Sequence, residues 1–294
     1  MSAIPTRRPR RILPYILIAP VLVLLTIFYL YPIGYNAVLA FFDWSLRGSP
    51  EFIGFGNFVE FIEDPAFGQV LGNTVLYTVL DVGLTLTLGF AIALFLRRSS
   101  TMNRFLETIV FTPTVISLVS VALVFVWLMR TDDGLLNWLL STVGLSPIGW
   151  LTDPSVALFS LALVSAWKSA GLNALIILAA MRAVPPELYE AADLDRGSRW
   201  SQLIHITIPM ISPTIFFLVL VNIIGSFQAF DTINVMTQGG PLGATDTLIF
   251  SIYREGFIFY RVGYAAALSV ILMLIVGAIT VVYFRVLQRK VHYK

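Results

Sequence analysis

The chain has 294 residues, of which 57% are hydrophobic and only 12% charged, and its mean hydropathy is +0.85. The core of a water-soluble protein of this length cannot bury so many apolar side chains, so the composition excludes an ordinary soluble protein. The lack of cysteine excludes disulfides and thiolate chemistry. The net charge of +2, with basic residues gathered in short blocks between apolar runs, argues against nucleic acid as a partner.

Six apolar segments are each long enough to cross the hydrocarbon core of a bilayer as a helix, which takes about 20 residues. These predicted spans lie near residues 13–37, 71–96, 105–129, 156–181, 210–234 and 264–286. Two of them are interrupted by a charge well inside the span, Asp81 in the second and Lys168 in the fourth. The sequence therefore predicts an all-α membrane protein with six transmembrane helices, in one domain over residues 13–286.

The basic residues predict the orientation of these spans, because cytoplasmic segments are enriched in Lys and Arg. A cytoplasmic N-terminus places fourteen basic residues inside: Arg7, Arg8, Arg10, Arg11, Arg97, Arg98, Arg104, Arg182, Arg196, Arg199, Arg285, Arg289, Lys290 and Lys294. It places four outside: Arg47, Arg130, Arg254 and Arg261. We therefore expect a basic cytoplasmic N-terminus over residues 1–12 and a cytoplasmic tail over residues 287–294.

Segment 134–152 is also uncharged, but its glycines and its proline interrupt it. Its amphipathic start favours a surface helix outside the membrane over a seventh span.

The connection between the fourth and fifth spans, residues 185–209, is the one cytoplasmic segment long enough to fold by itself. Pro186 suits a first helical position, and the acidic Glu187 favours the same helix end. Gly197 is expected to supply a break, after which Ser198 can cap a second short helix. The pattern predicts an exposed, acidic helical hairpin shaped to dock into a groove of another protein.

This 185–209 hairpin contains Glu190-Ala191-Ala192, then Asp195, and later Ile206-Thr207-Ile208-Pro209. It resembles the cytoplasmic loop of the membrane subunits of binding-protein-dependent ABC importers, which reads Glu-Ala-Ala, three residues, Gly, nine residues, Ile-x-Leu-Pro. The family's glycine position is occupied here by Arg196, with Gly197 one place later.

Further segments resemble the carbohydrate branch of that family: residues 52–58, Asn73-Thr74 and residues 231–241. Segments 247–257 and 290–294 are most similar to the first permease subunit of glycerol 3-phosphate importers. The resemblance implies the type I ABC importer permease fold. It also implies a place in a prokaryotic cytoplasmic membrane.

The resemblance also implies the partners of this chain. They are a second permease subunit, two ATP-binding subunits and an extracytoplasmic solute-binding protein. The residues that would couple to the ATP-binding subunits are Glu190, Ala191, Ala192, Asp195 and Gly197. ATP and Mg would be bound by those partners and no cofactor by this chain, since its single Lys-Ser pair, Lys168-Ser169, follows Trp167 inside a span instead of a phosphate-binding glycine loop.

Alignment with the maltose importer of the family places a substrate pathway on two spans. The corresponding residues are Ser165, Lys168, Ser169 and Leu172 in the fourth span and Asn222, Gly225, Ser226 and Ala229 in the fifth. Each set has the spacing i, i+3, i+4, i+7, which is one stripe along a helix. The small residues of the second stripe suit close helix packing equally well.

The two charges inside spans need a polar interior or a partner, because a charge in a bilayer costs at least about 2.5 kcal/mol. For Lys168 we hypothesise contact with a substrate phosphate. The alternatives are a buried pair with Asp81 or Asp231, or a role at a helix end that is indifferent to substrate.

The resemblance to glycerol 3-phosphate importers implies glycerol 3-phosphate or a glycerophosphodiester as the solute, and a neutral sugar similar to maltose or trehalose is the alternative. An ion-coupled secondary transporter would use the same two charges, although the sequence has no internal repeat. A membrane enzyme is disfavoured, because no hydrolase or zinc-protease motif occurs. The two histidines, His205 and His292, are 87 positions apart and suggest no metal site.

Overall fold

The computed structural model describes residues 13–45, 48–98 and 100–287, and these residues are mainly helical. The helices are α1 (Leu13–Leu25), α2 (Tyr31–Leu39), α3 (Gly56–Glu63), α4 (Phe67–Leu96), α5 (Thr101–Val115), α6 (Leu118–Leu128), α7 (Leu135–Thr142), α8 (Ala157–Arg182), α9 (Pro186–Leu194), α10 (Arg199–Gln202), α11 (Ile208–Phe227), α12 (Asp231–Met236), α13 (Leu248–Tyr253) and α14 (Val262–Leu287). Two short antiparallel strands, β1 (Phe42–Asp43) and β2 (Glu51–Phe52), pair Phe42 with Phe52. The predicted N-terminal block 1–12, Arg47 and residues 288–294 of the predicted tail lie outside the described residues.

Among the described residues, five continuous helices are long and apolar enough to cross a membrane: Pro14–Leu39, Phe67–Leu96, Ala157–Arg182, Arg199–Phe227 and Val262–Arg285. The first and fourth of these contain wider π-helical turns, at Thr26–Leu30 and Leu203–Thr207. A bent pair, Thr101–Val115 with Leu118–Leu128, makes a sixth if it is counted as one span. The all-α membrane fold expected from the sequence is confirmed.

The third predicted span is not straight, because α5 and α6 meet at an angle of 96°. Ile116 and Ser117 between them adopt extended backbone angles, with ψ of 142° and 134°. Pro113 lacks the amide proton of a regular helical turn, and the β-branched Thr114, Val115 and Ile116 that follow have low helix propensity. The helix therefore ends within the apolar segment, which hydropathy alone does not reveal.

The fifth span also differs from the prediction of 210–234. The helix begins at Arg199 and ends at Phe227, so the expected second short helix of the hairpin is the continuous N-terminal extension of this span. The π-helical turn Leu203–Thr207 precedes Pro209, which cannot donate a hydrogen bond to the preceding turn. The wider turn lets the helix continue past this proline.

The helix α8 lies at the centre of the bundle. In its most apolar stretch 61% of the residues are buried, against 28% in the corresponding stretch of α4. The seven alanines, three serines and one glycine of α8 allow neighbouring backbones to approach closely. At Gly171 a Cβ atom would lie 2.0 Å from the carbonyl oxygen of Val110 on α5. This close approach fixes α5 and α8 against each other.

The segments outside the long helices are held to the bundle by asparagine side chains. Asn57 donates to the carbonyls of Ala40 (2.9 Å) and Phe42 (3.0 Å). Asn73 at the start of α4 donates to the carbonyls of Gly243 (2.8 Å) and Asp246 (2.9 Å). The segments that carry the family resemblance thus fasten distant parts of the chain together.

The predicted surface helix in segment 134–152 is shorter than that segment. Only Leu135–Thr142 is helical, and the chain then turns back over it. Asn137 stabilises this return, since its side chain donates to the carbonyls of Thr131 and Ile148, both at 2.9 Å. It also accepts from the indole of Trp150 at 3.0 Å.

Candidate functional site

A cavity of about 370 Å³ lies between α4, α8 and the C-terminal part of α11. It is lined by all eight residues that the sequence predicts for a substrate pathway: Ser165, Lys168, Ser169, Leu172, Asn222, Gly225, Ser226 and Ala229. The two charged positions Asp81 and Asp231 also face it. The structure therefore brings both predicted stripes, and the charge of the second span, to one space.

On α8, Ser165 is almost fully buried and belongs to a hydrogen-bond chain. Its hydroxyl bonds the Tyr77 hydroxyl on α4 at 2.8 Å and the Thr232 hydroxyl on α12 at 3.2 Å. These bonds use most of the capacity of the Ser165 hydroxyl and tie three helices together. Ser169 is half-buried, and Leu172, with 42% of its surface exposed, stands at the rim of the cavity.

Lys168 is half-buried in the same wall and contacts the end of α5. Its Nζ donates to the carbonyl of Thr114 at 3.1 Å, and the Thr114 hydroxyl donates to the carbonyl of Lys168 at 3.2 Å. The Thr114 carbonyl belongs to the last turn of α5, where carbonyls lack partners within the helix and attract a cation. Within the described part of the chain, Lys168 forms no ion pair with Asp81 or Asp231, so the predicted alternative of a buried pair is not realised.

Asp81 is buried on α4, with 9% of its surface exposed. Its Oδ1 has no hydrogen-bond partner among the described residues. A buried carboxylate oxygen without a hydrogen-bond partner is unfavourable in free energy. Water or a solute in the cavity can donate the missing hydrogen bond. Asp81 thus lines a cavity that also holds other polar side chains, instead of facing the apolar surface of the bundle.

On α11, Asn222 joins the cavity wall to α8. Its Nδ2 donates to Oδ1 of Asn173 at 2.8 Å and to the Leu218 carbonyl at 2.7 Å. The Ser226 hydroxyl donates to the carbonyl of Ile223 in its own helix at 2.8 Å. Ala229 lies beyond the end of α11 at Phe227, so the fourth position of the predicted stripe reaches the cavity from the following turn instead of from the helix.

Sequence reasoning missed four residues that organise this cavity. Asn173, Tyr77, Thr114 and Thr232 each bond one of the predicted residues. An asparagine inside a span is a signal that could have drawn attention to Asn173. The other three are common in apolar helices and carry no comparable signal.

The hairpin places the predicted coupling residues at its surface. Glu190, Ala191 and Asp195 are exposed, whereas Ala192 and Gly197 are half-buried. The apolar Leu194, with 86% of its surface exposed, stands beside them.

The end of α9 is a hydrogen-bonded reverse turn. The amide of Gly197 donates to the Ala192 carbonyl at 2.8 Å, and the amide of Arg196 donates to the Asp193 carbonyl at 3.0 Å. This is the Schellman arrangement, and its left-handed residue is Arg196, with φ of 55°. The prediction that Gly197 itself supplies the break is therefore wrong by one position.

Gly197 is needed in that turn for a different reason. A Cβ atom there would lie 2.9 Å from the carbonyl oxygen of Ala192. The family's glycine position is thus filled by an arginine that adopts the glycine-type conformation, and the glycine beside it permits the close backbone approach.

Two contacts hold the hairpin against the bundle. The Tyr189 hydroxyl bonds the Thr207 hydroxyl at 2.9 Å. The Arg97 guanidinium, just after α4, lies 4.6 Å from the centre of the Tyr189 ring. A displacement of α9 therefore acts directly on the ends of α4 and α11.

A bundle of membrane-length helices around a cavity with several polar side chains, and an exposed helical hairpin on one connection, is the architecture of a membrane transport subunit. The sequence matches the family described as binding-protein-dependent transport system inner membrane component over residues 85–293. The chain belongs to this family, whose members are permease subunits of ABC importers.

Known relatives match the chain over nearly its whole length. The sn-glycerol-3-phosphate transport system permease protein UgpA of Yersinia pestis is 34% identical over 288 residues, covering 96% of each chain. The sulfoquinovosyl glycerol transport system permease protein SmoG of Agrobacterium fabrum is 33% identical and covers 95% of this chain and 92% of its own.

A solved structure of a bacterial alginate ABC transporter, in complex with an alginate pentasaccharide-bound periplasmic protein, is similar as well. It superposes with a TM-score of 0.83 at 27% identity and covers 96% of both chains. The fold expected from the resemblance, that of an ABC importer permease, is thereby confirmed, as is the resemblance to the carbohydrate branch of the family.

Proposed function

We propose that this protein imports sn-glycerol 3-phosphate or a glycerophosphodiester as one of two permease subunits in an ABC importer. The remaining partners are two ATP-binding subunits, which bind ATP and Mg and carry out hydrolysis, and an extracytoplasmic solute-binding protein. Both termini of the chain lie in the cytoplasm. The observation that carries the proposal is the cavity, in which Lys168 stands among hydroxyl and amide side chains from two helices.

Lys168 supplies the charge that an anionic solute requires. An ammonium group has three donor hydrogens, and the Thr114 carbonyl engages one of them in the described part of the chain. The remaining donors can bond phosphate oxygens as a charge-assisted interaction.

Asp81 suits the hydroxyl groups of the same solute. Its buried Oδ1 is an acceptor with no partner among the described residues, and a glycerol hydroxyl is a matching donor. A solute with a phosphate at one end and hydroxyls at the other can satisfy Lys168 and Asp81 together.

The relatives support a solute of this kind. Their names include sn-glycerol-3-phosphate and sulfoquinovosyl glycerol, and the similar structure is a transporter of alginate. Each of these solutes joins hydroxyl groups to an acidic group.

A second permease subunit completes the pathway, because this chain forms only part of a wall. Phe217 and Val221, which line the cavity, remain exposed together with Leu172. Apolar and polar groups at an open rim favour a second chain opposite them.

Coupling runs through the 185–209 hairpin. ATP binding closes the two ATP-binding subunits, α9 moves with the cleft that holds it, and the contacts of Tyr189 transmit the movement to α4 and α11. The spans then switch between inward-facing and outward-facing states, and the cavity opens toward the binding protein.

A neutral sugar is the second candidate, and the carboxylates of Asp81 and Asp231 at the cavity favour it. Two carboxylates against one ammonium make the lining net negative, which opposes a phosphate and does not affect a neutral solute.

The test is uptake by the complete complex in liposomes, with its binding protein and glycerol 3-phosphate, glycerophosphocholine, maltose or trehalose. We expect the phosphorylated solutes alone to stimulate ATP hydrolysis. Lys168→Met should then lower uptake at least tenfold, while the charge-retaining Lys168→Arg keeps most of it. The basal ATP hydrolysis of both variants serves as the control for assembly.

The possible results separate the two solute classes. If only maltose or trehalose stimulated ATP hydrolysis, the transported solute would be a neutral sugar and the proposal of a phosphorylated solute would be wrong. Equal uptake by the Lys168→Met complex and the parent complex would show that Lys168 does not bind the substrate phosphate.

A further inference from the structure

A second open cleft, of about 820 Å³, lies between the end of α4 and the 185–209 hairpin. Three arginines line it: Arg97 and Arg98 after α4, and Arg199 at the start of α10. Tyr189 and Trp200 line it as well, and none of its lining side chains in the described ranges is acidic. We refer to it as the arginine cleft.

The three charges of the arginine cleft are not compensated by carboxylates. Four other arginines, Arg130, Arg182, Arg254 and Arg261, pair with acidic side chains. In residues 13–45, 48–98 and 100–287, none of the three cleft arginines forms such a pair. Clustered cations of this kind attract an anionic ligand.

The cleft lies where the apolar surface of α4 ends. Leu94 lines it, and the neighbouring Phe95 is exposed, whereas Arg97 and Arg98 follow directly. Trp200 is also largely exposed, and an amphipathic indole is typical of the boundary between hydrocarbon and headgroups. Basic pockets beside the ends of transmembrane helices are suited to lipid headgroups.

We propose that the arginine cleft binds the phosphate headgroup of an anionic phospholipid such as phosphatidylglycerol. The arginines bond the phosphate oxygens, and the acyl chains follow the apolar surface of Leu94 and Phe95. The headgroup bridges the end of α4 and the start of α10. The proposal requires only that the chain lies in a membrane, so it is independent of the transported solute.

The charge pattern favours a lipid over a protein partner in this cleft. The exposed side of α9 carries Glu187, Glu190 and Asp193, followed by Asp195. An ATP-binding subunit that docks on these carboxylates needs a basic surface there, whereas the arginine cleft selects an anion.

The test is lipid retention by the purified complex, measured by native mass spectrometry with added phosphatidylglycerol or phosphatidylcholine. The parent complex should retain phosphatidylglycerol selectively. The double variant Arg97→Gln with Arg199→Gln should bind it ~25-fold more weakly, since each arginine contributes roughly fivefold near an anionic surface.

The matched control removes two exposed arginines from the ends of other spans, Arg104→Gln with Arg285→Gln, and should retain the lipid. Equal loss in both double variants would overturn the site, as would equal retention of phosphatidylcholine. Lipid binding that appears only after removal of the ATP-binding subunits would mean that protein covers the cleft, and it would also overturn the proposal.

A second measurement tests the site in the parent complex, in case the double variant does not assemble. Phosphatidylglycerol with a photoreactive headgroup should label the parent complex within residues 94–98 or 199–203. Labelling exclusively at other positions would contradict the proposed site.

Discussion

Arg196 shows how a single residue can replace the glycine of a family motif. Its φ of 55° is a conformation that costs a residue with a Cβ about 1 to 2 kcal/mol, and the hydrogen bonds of Gly197 and Arg196 to the end of α9 hold it there. The arginine side chain is exposed, so the conformation does not displace packed atoms. The turn therefore keeps its geometry at the expense of some local stability.

We expect Arg196→Gly to stabilise the end of α9 by about 1 kcal/mol, because glycine adopts a left-handed conformation freely. Hydrogen exchange of the amides at 193–197 in the purified complex should slow by about fivefold. Gly197→Ala is the control and should accelerate exchange, since its Cβ would approach the Ala192 carbonyl to 2.9 Å. Unchanged exchange in Arg196→Gly would show that the turn carries no such strain.

At the scale of the element, small and polar residues decide how the long helices meet. Gly171 allows α5 to touch α8, and the pair of Asn173 and Asn222 joins α8 to α11. In apolar surroundings, close packing and hydrogen bonds between helices replace the hydrophobic driving force of soluble proteins. The serine and asparagine side chains of the cavity therefore hold the helices together, in addition to any contact that they make with a solute.

Gly171→Ala should destabilise the complex by about 1 to 3 kcal/mol, because its Cβ would lie 2.0 Å from the backbone carbonyl of Val110. Gly83→Ala on α4 is the matched control, since no atom lies within 4 Å of its Cβ and alanine favours the helix. Thermal denaturation of the two variants should shift in opposite directions. A parallel shift would contradict the close packing of α5 and α8.

The asparagine pair should show measurable coupling. In a double-mutant cycle of Asn173→Ala and Asn222→Ala, we expect a coupling free energy of about 0.6 kcal/mol, with roughly 1.7 as an upper value. Denaturant titration in mixed micelles measures it. The effects of Asn173→Ala and Ser226→Ala should be additive instead, because among the described residues the Ser226 hydroxyl bonds only the Ile223 carbonyl of its own helix.

For the whole molecule, the rest of the described chain leaves one long apolar helix largely uncovered. The helix Pro14–Leu39 has no buried residue in its most apolar window. Apolar side chains such as Ile18, Leu22 and Phe28 are exposed along it. This helix requires lipid or another subunit around it, which agrees with an inner membrane component of a larger importer.

The proposed orientation can be measured directly, because the natural sequence has no cysteine. A membrane-impermeant maleimide should label Ser146→Cys, in the segment after α7, on intact spheroplasts. It should label Ala183→Cys, between α8 and α9, only after the membrane is permeabilised. Both positions are exposed, so accessibility within the protein does not distinguish them. The reverse pattern would place the basic blocks on the outer side.

The sequence by itself determined the membrane class, the long apolar helices and the hairpin motif, because length, hydropathy and a local motif are properties of consecutive residues. The eight predicted pathway residues came from alignment with the maltose importer of the family, and the structure places all eight at one cavity. The sequence missed the bend after Pro113, the continuous helix from Arg199 and the left-handed turn at Arg196.

Only the tertiary structure decided which partner each polar side chain has. Lys168 bonds the end of α5 instead of Asp81, and Asn73 bonds a loop about 170 residues later in the chain. Such contacts depend on how helices from distant parts of the sequence pack, and a local pattern does not contain that information. The physical reason is that a buried polar group takes the partner that packing brings within reach, and packing is a property of the whole bundle.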